Sequence, residues 1–204
     1  MSIRAQTDLA DATTHDHAGE EPGHVTSAEL ERGLVWIRES PRDRGTVALL
    51  VRRPTVDVRE VLDEATLTPA DGLVGDDWRH RPSSSTPDNS PNPDRQLTLM
   101  NARIASLVAR RPDRRALAGD QLFVDFDLSV GHSPPGTRLR IGTAVVELTE
   151  PPHLGCAKFV ARFGEEAMRF VNSPVGRELR LRGAHARVLV AGTLRPGDAV
   201  VRQA

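Results

Sequence analysis

The chain has 204 residues and a formal net charge of −1, and 38% of its residues are hydrophobic but only 3% aromatic. This length fits one domain with a tail, and the balanced charge and scarce aromatic rings argue against nucleic acid or an anionic membrane as partners. A single cysteine excludes an intrachain disulfide and any multi-thiolate zinc site. Because we find no signal peptide and no apolar run of about 18 residues, we expect a cytoplasmic protein.

Residues 1–28 are polar and acidic, and we predict that they form a disordered tail. Such a segment buries too little apolar surface to offset the entropy lost on ordering. His15, His17 and His24 could ligate a metal, but their loose spacing favours a flexible tail. The folded domain is therefore expected over residues 29–204.

The first half of this domain reads as strands separated by turns. Residues 34–38 and 46–51 are short and rich in β-branched residues, and the turn residues at 40–45 predict a hairpin between them. Residues 56–67 fit either an extended run or a short helix. The Ser/Pro-rich stretch at 80–94 predicts a flexible surface loop, which is either a lid or disordered.

The second half adds helices to further short strands. Residues 95–100 read as a strand, after which Asn101 is expected to cap a helix over 102–110. Apolar spacing predicts a helix around 159–171 and a short one from Pro174 to Arg180. Further strands are predicted over 122–126, 137–141, 143–149, 184–190 and 199–202, with Val145 and Val146 interrupting the alternation of the third. This pattern predicts a mainly β domain with a few helices, an α+β fold built on a β-barrel.

The only cysteine and the only lysine of the chain, Cys156 and Lys158, lie two residues apart. They belong to the segment 150–158, in which two prolines are expected to end a strand and Gly155 leads into a helix. A nearby ammonium and a helix start both stabilise a thiolate, and His153 is placed to act as general acid or base for it. The alternative is that Cys156 packs under the helix and His153 is a surface residue.

Arginines form a second concentration of candidate chemistry. Their forked guanidinium groups suit phosphate or carboxylate ligands. Those on the helices alternate with glutamates, which favours a solvated helix face for each of them taken singly. Arg95 and Arg187, both predicted on strands, are stronger candidates for ligand binding.

Six short stretches form an ordered pattern along residues 33–202. They are 72–78, 95–100, 119–122, 128–142, 150–158 and 187–198. Together they resemble the MOSC domain, the C-terminal domain of molybdenum-cofactor sulfurases, which also occurs as a stand-alone bacterial protein. Each stretch is degenerate, and the turn at 119–122 reads Gly-Asp-Gln-Leu where the family usually has Gly-Glu-Asn-Leu. The resemblance depends on the order in which the six stretches occur along the chain.

The resemblance implies a MOSC-type β-barrel and a role in sulfur or molybdenum-cofactor chemistry. It implies that Cys156 carries sulfur as a persulfide or faces the molybdenum of a bound molybdopterin. Cys156 would then be the metal ligand, and Lys158 and His153 would tune its thiol. The cofactor-binding candidates are Arg95, Arg162, Arg187 and Asp76.

Three functional hypotheses follow from the resemblance. The first is a sulfur carrier or molybdenum-cofactor-binding protein that acts through Cys156. The second is a non-catalytic module that binds or delivers the pterin cofactor, and the third is a molybdenum-dependent reductase of N-hydroxylated compounds. A carrier would need a cysteine desulfurase as sulfur donor and a molybdoenzyme as acceptor. The chain is too short to include a pyridoxal-phosphate desulfurase domain, so pyridoxal phosphate is a family association only and no site for it is expected.

Overall fold

The structure is a computed structural model in which residues 23–203 are described. Four α-helices lie in this region: α1 (Ser27–Arg38), α2 (Ala102–Ala109), α3 (Ala157–Asn172) and α4 (Pro174–Glu178). Three 3-10 helices span Asp77–His80, Pro93–Arg95 and Pro112–Ala118. The strands are β1 (Arg44–Arg52), β2 (Glu60–Leu62), β3 (Ala65–Thr68), β4 (Gly72–Leu73), β5 (Leu97–Asn101), β6 (Leu122–Asp125), β7 (Arg138–Ile141), β8 (Ala144–Pro152), β9 (Ala184–Val190), β10 (Gly192–Leu194) and β11 (Ala199–Arg202).

Seven of these strands close a barrel in the order β1-β11-β7-β8-β9-β5-β6, with β6 pairing back to β1. Every neighbouring pair is antiparallel except β5 and β6. A parallel pair needs a crossover connection, and α2 with the following 3-10 helix provides it. The strand β2 extends the barrel sheet beside β1, while β10, β3 and β4 form a separate antiparallel sheet. The predicted α+β fold built on a β-barrel is confirmed.

Hydrophobic side chains fill two layers, one inside the barrel and one between the barrel and the helices. In β5, Leu99 belongs to the interior cluster and Met100 to the helical cluster. Because both faces of this strand are covered, all of its residues are buried, including the polar Thr98 and Asn101. In β1 a register shift between Val47 and Leu49 changes which residues face inward, so that Val47 and Leu50 both point into the barrel.

The predicted strand over residues 34–38 and its hairpin are wrong, because these residues form the end of α1. The helix begins with a capping box, in which Thr26 and Glu29 each satisfy the other's backbone N–H. Leu30 and Ile37 are buried at helical spacing, whereas Val35 and Trp36 are exposed. The high β propensity of Val35, Trp36 and Ile37 misled the prediction, since tertiary packing outweighs propensity.

The described fold also begins before the predicted domain boundary at residue 29. Val25 is only 2% exposed and packs in the helical cluster, so the last residues of the predicted tail belong to the fold. His24 lies close to Gly164 in α3. Residues 1–22 of the predicted tail, including His15 and His17, lie outside the described residues.

Several local predictions are confirmed at their boundaries. The Asn101 side chain accepts hydrogen bonds from the backbone of Arg103 and Ile104, and so caps α2 as expected. The interrupted alternation at Val145 and Val146 corresponds to a register shift between β8 and β9. The strand β8 ends at Pro152, as the two prolines predicted, and Pro152 aligns with Ala184 of β9 beyond a second register shift.

Between residues 81 and 92 the chain has no regular helix or strand, and the predicted loop is held by its own hydrogen bonds. The Thr86 hydroxyl lies within bonding distance of the carbonyls of Ser83 and Ser90. No helix in the part of the chain that the structure describes is long and apolar enough to cross a bilayer.

Candidate functional site

Cys156 lies on the connection between β8 and α3, and its side chain is exposed. It occupies the N-cap position of α3, but its thiol makes no capping hydrogen bond. The backbone just before it is fixed by Asn172, whose side chain accepts a bond from the Gly155 N–H at 2.9 Å. A left-handed backbone at Gly164 interrupts α3 seven residues after the helix begins at Ala157. The uninterrupted helical segment that follows Cys156 is therefore short. The exposed thiol rules out the alternative that Cys156 is packed under the helix.

Lys158 points to the connection between β1 and β2 and pairs there with a carboxylate. Its Nζ donates to Asp57 Oδ1 at 2.9 Å, and Arg162 donates to the same oxygen at 2.9 Å. The hydrogen bond from Lys158 lowers the pKa of Asp57. Asp57 itself has a left-handed backbone with φ of 63°. Lys158 is therefore paired with Asp57. Any effect of its charge on the Cys156 thiol is exerted while the ammonium is in this ion pair.

His153 is largely buried and packs against a second histidine that the sequence reasoning overlooked. The rings of His153 and His185 lie 4.7 Å apart between centroids. The pKa of His153 is well below its usual value because of burial and the nearby Arg182. Burial also lowers the pKa of His185 to about 4. Both imidazoles are consequently neutral at neutral pH, in which state each ring offers one donor and one acceptor nitrogen.

Behind the histidine pair lies a fully buried carboxylate. Asp120 Oδ1 is 3.4 Å from His153 Nδ1, and its other oxygen accepts a hydrogen bond from Arg182 at 2.7 Å. Burial raises the pKa of Asp120, and Arg182 acts against this effect. The Arg182 guanidinium also lies over the ring of Phe159, 5.2 Å from its centroid. His153 packs against this buried arrangement, but neither His153 Nδ1 nor Asp120 Oδ1 has a hydrogen-bond partner among the described residues.

The histidine pair forms one wall of a cleft of about 320 Å³, which we call the arginine cleft. No carboxylate is among the described residues that line it. Asp76 holds Arg53 with two hydrogen bonds of 2.9 Å, and Arg81 pairs with Asp77. Among the described residues, the Arg95 side chain has neither a hydrogen-bond nor an ion-pair partner. The lining residues are Arg53, Trp78, Arg81, Pro82, Ser83, Ser84, Asn92, Arg95, Thr98, His153 and His185.

The structure brings together some predicted site residues and separates others. Arg95 and His153 both line the arginine cleft. Asp76 is buried behind it and holds Arg53 in place. Arg162 lies outside the cleft and bonds Asp57 and the Leu117 carbonyl. Arg187 also lies outside it, on the outer face of β9, where the residues it pairs with are Glu147 and Asp94.

Cys156 is not among the lining residues of the cleft, but the chain keeps it near. Three residues span at most about 11 Å, so the Cα atoms of Cys156 and His153 are no farther apart than that. Arg95 is the last residue of a 3-10 helix, and β5 begins only at Leu97, so its predicted place on the strand is wrong by two residues.

Sequence reasoning missed Arg53, Arg81 and His185 as members of the site. A signal existed for His185, because a histidine at a buried position of a strand is unusual unless it has a specific environment. The arginines gave no comparable signal, since 27 residues of the chain are Lys or Arg and most lie at the surface. They meet only because separate loops converge at one end of the barrel.

The family model of the MOSC domain matches residues 89–201, which is more than half of the chain. The chain belongs to the MOSC domain family. This domain is known in proteins related to the molybdenum cofactor. The matched range includes Arg95, His153, Cys156 and His185, whereas Arg53 and Trp78 lie before it. A comparison with curated proteins finds no match.

Solved structures with the same fold include bacterial proteins of low sequence identity. The YuaD protein from Bacillus subtilis aligns with a TM-score of 0.59 and 15% identity, covering 79% of this MOSC protein and 97% of that chain. YiiM from Geobacillus stearothermophilus aligns with a TM-score of 0.51 and 15% identity, covering 78% of this chain and 74% of that one. At such identities these likenesses show a shared fold.

The residues of the site fit the molybdenum cofactor that the family implies. Arginine forks suit its phosphate, and the unpaired guanidinium of Arg95 lies in a cleft without a carboxylate. Beside the cleft, Arg59 Nε is buried without a hydrogen-bond partner. No group of three His, Cys, Asp or Glu among residues 23–203 is placed to hold a metal ion.

Proposed function

We propose that this MOSC protein binds the pterin cofactor of molybdenum in the arginine cleft, with the Cys156 thiolate facing the metal. Among the described residues, the cleft carries one uncompensated guanidinium, because Arg53 is paired with Asp76 and Arg81 with Asp77, and this observation supports the proposal most directly. Its lining contains three arginines and no carboxylate, and Arg95 has no partner in the described residues. A site of this charge and volume favours a small organic anion such as a phosphorylated ring system.

Different residues of the cleft would bind different parts of the cofactor. Arg95 and Arg81 supply guanidinium groups for the phosphate, while Asp76 keeps Arg53 rigid beside them. Trp78 offers an aromatic face for a flat heterocycle, and its indole N–H is already bonded to the Asn92 carbonyl at 3.3 Å. The neutral imidazoles of His153 and His185 can donate to or accept from a heterocycle without adding charge. When bound, the cofactor supplies a metal that exchanges oxygen or sulfur atoms and electrons.

Cys156 contributes the single soft ligand of the site. A thiolate is a preferred ligand for soft metal centres, and the thiol of Cys156 is exposed. Lys158 and Arg162 add positive charge on the helix side of the cysteine, although Asp57 neutralises part of it. His153, which lines the cleft three residues before Cys156, is an imidazole that could take part in proton transfer there.

The exposure of Cys156 also supports a second candidate, a sulfur carrier. In this function the thiolate attacks the outer sulfur of a persulfide on a cysteine desulfurase. The sulfur–sulfur bond of the donor breaks, the donor leaves as a thiolate, and Cys156 becomes a persulfide. A molybdoenzyme would accept that sulfur. The reaction needs no oxidant, because one sulfur–sulfur bond replaces another.

The two candidates are separated by measuring molybdenum and pterin in protein purified from a host that makes the cofactor. Cofactor binding predicts molybdenum near one atom per chain in the wild type and strong loss in Arg95→Gln. Arg138→Gln, which changes an exposed arginine of β7 outside the cleft, should retain the metal. Pterin that is bound equally by wild type and Cys156→Ala would indicate the non-catalytic module instead.

The carrier is tested separately by mass spectrometry after incubation with a cysteine desulfurase and cysteine. It predicts one added sulfur on Cys156 and none in Cys156→Ser. Absence of both the sulfur adduct and the cofactor would contradict both candidates. If metal is bound, reduction of N-hydroxylated compounds by the loaded protein tests the third hypothesis.

A further inference from the structure

A second cavity lies on the other side of the histidine pair and has no role in the proposed cofactor site. Its volume is about 390 Å³, which is within the usual range for small-molecule sites. His153 and His185 line both this cavity and the arginine cleft. The two imidazoles therefore form the partition between two spaces of different character. We call the second space the apolar cavity.

Small and aliphatic residues make this cavity. Val171 and Ala184 are almost fully buried in its lining, whereas Val130 and Leu154 are each 44% exposed at positions nearer to solvent. Gly183 has a φ of 112°, and a methyl group there would clash with the Leu99 carbonyl oxygen, so the backbone packing requires glycine. The aliphatic side chains of the lining favour an apolar guest.

The charged residues of the cavity add one net positive charge. Arg177 and Arg180 line it together with a single carboxylate, that of Glu150. Each arginine donates to a backbone carbonyl, Arg177 to Asn172 at 2.9 Å and Arg180 to Ser133 at 2.5 Å. Among the described residues neither guanidinium has a carboxylate within salt-bridge distance. A ligand with one negative charge would bring the net charge of the cavity, set by the two arginines and the glutamate, to zero.

Arg180 carries a second unusual feature, because its backbone is left-handed with φ of 48°. A long side chain rarely adopts this conformation, and such strain concentrates at binding sites. Burial lowers the pKa of the Arg180 guanidinium, and the charge of Glu150 acts in the opposite direction. The strained backbone holds a half-buried cation at an apolar cavity, where an anionic group of a ligand would be bound strongly.

We propose that the apolar cavity binds a small organic monoanion with an apolar body, whose charged group pairs with Arg180 and Arg177. The opposite end of such a ligand would reach the imidazoles of His153 and His185. Cys156 lies two residues beyond Leu154, so the Cα atoms of these residues are at most about 7 Å apart. That the ligand is the substrate of a cofactor-loaded protein rests on the proposed function, whereas its binding to the cavity does not.

Ligand-detected NMR with the purified cofactor-free protein tests the binding, with 2-naphthoate as the probe and 2-naphthamide as its neutral counterpart. We expect naphthoate to bind more tightly than the amide. Arg180→Gln should weaken naphthoate binding by about tenfold and remove that preference. Arg177→Gln, at an exposed position, should have the same direction of effect, so the test does not depend on the fold tolerating a change at Arg180.

Blocking the cavity provides the steric test. Val130→Trp should abolish naphthoate binding, whereas Val190→Trp, at a similarly exposed position of β9 outside the cavity, should leave it unchanged. Circular dichroism checks that both variants are folded. Naphthoate binding that persists in Val130→Trp, or equal binding of acid and amide by the wild type, would overturn the inference. Molybdenum and pterin contents are measured on the same variants, so failure here and failure of the proposed function are distinguishable.

Discussion

Because His185 is buried, we predict that acid lowers the free energy of unfolding through protonation of this side chain. The pKa of His185 falls from 6.5 to about 4 on folding because of burial and the nearby Arg95. The unfolded chain therefore binds this proton more tightly than the folded chain does. The free energy of unfolding is unaffected by His185 above about pH 6.5, falls as the pH is lowered towards 4, and is constant below that.

The size of the effect follows from the two pKa values. A difference of one unit between them corresponds to about 1.4 kcal/mol, so the complete loss is about 3 kcal/mol. At pH 5 about 2 kcal/mol of this is already lost. His153 has a lowered pKa as well, and its titration adds to the loss in the same direction.

Urea unfolding followed by tryptophan fluorescence at about pH 7 and about pH 5 measures the effect. We expect His185→Gln to lose about 2 kcal/mol less stability than the wild type between the two pH values, whatever its stability at pH 7. His80→Gln, which removes an exposed imidazole, controls for the loss of a histidine. An equal loss in the wild type and His185→Gln would refute the reasoning. Direct titration of the His185 ring by NMR gives a second check.

Three further predictions concern the framework of the site, and urea unfolding measures each. Asp76→Ala leaves Arg53 buried without its carboxylate and should cost about 3–5 kcal/mol, whereas the double variant with Arg53→Met should recover part of that loss. Asn101→Ala removes the cap of α2 and should cost about 1–2 kcal/mol, with the far-ultraviolet spectrum retained. Gly164→Ala should be more destabilising than Gly197→Ala, since both positions have a positive φ but only at Gly164 does an added methyl meet a neighbouring side chain within 3 Å. Equal costs for the two glycine variants would mean that backbone strain alone decides the effect.

Local signals were sufficient where the cause of a structure lies within a few residues. Asn101 precedes an apolar run at helical spacing, and its side chain caps α2 without help from distant segments. The same kind of signal was available for α1, where Thr26 and Glu29 form a capping box. It was overlooked because Thr26 lies in the stretch that was interpreted as a tail. The strand propensity of Val35 to Ile37 then led to the wrong prediction. Which face of this segment is buried depends on the elements that pack against it, and the local sequence does not reveal them.

Cys156 and Lys158 show how far proximity in sequence can be trusted. The cysteine is exposed on a strand-to-helix connection, as the two prolines, the glycine and the following helical spacing indicated. The direction of Lys158 depended on whether the backbone there was extended or helical. It is helical, and the ammonium pairs with Asp57, which lies about a hundred residues away along the chain.

The sequence by itself determined the family, the α+β barrel and the place of Cys156 between a strand and a helix, because each of these depends on ordered motifs or on residues close together in the chain. Only the tertiary structure decided the composition of the arginine cleft. Its lining comes from the end of β1, the loop before β5, the end of β8 and the start of β9. These segments meet because β9 pairs with both β5 and β8, and such long-range pairing is set by packing of the whole barrel. The same packing buries His153 and His185 next to arginines, which is why their lowered pKa values could not be read from the residues alone.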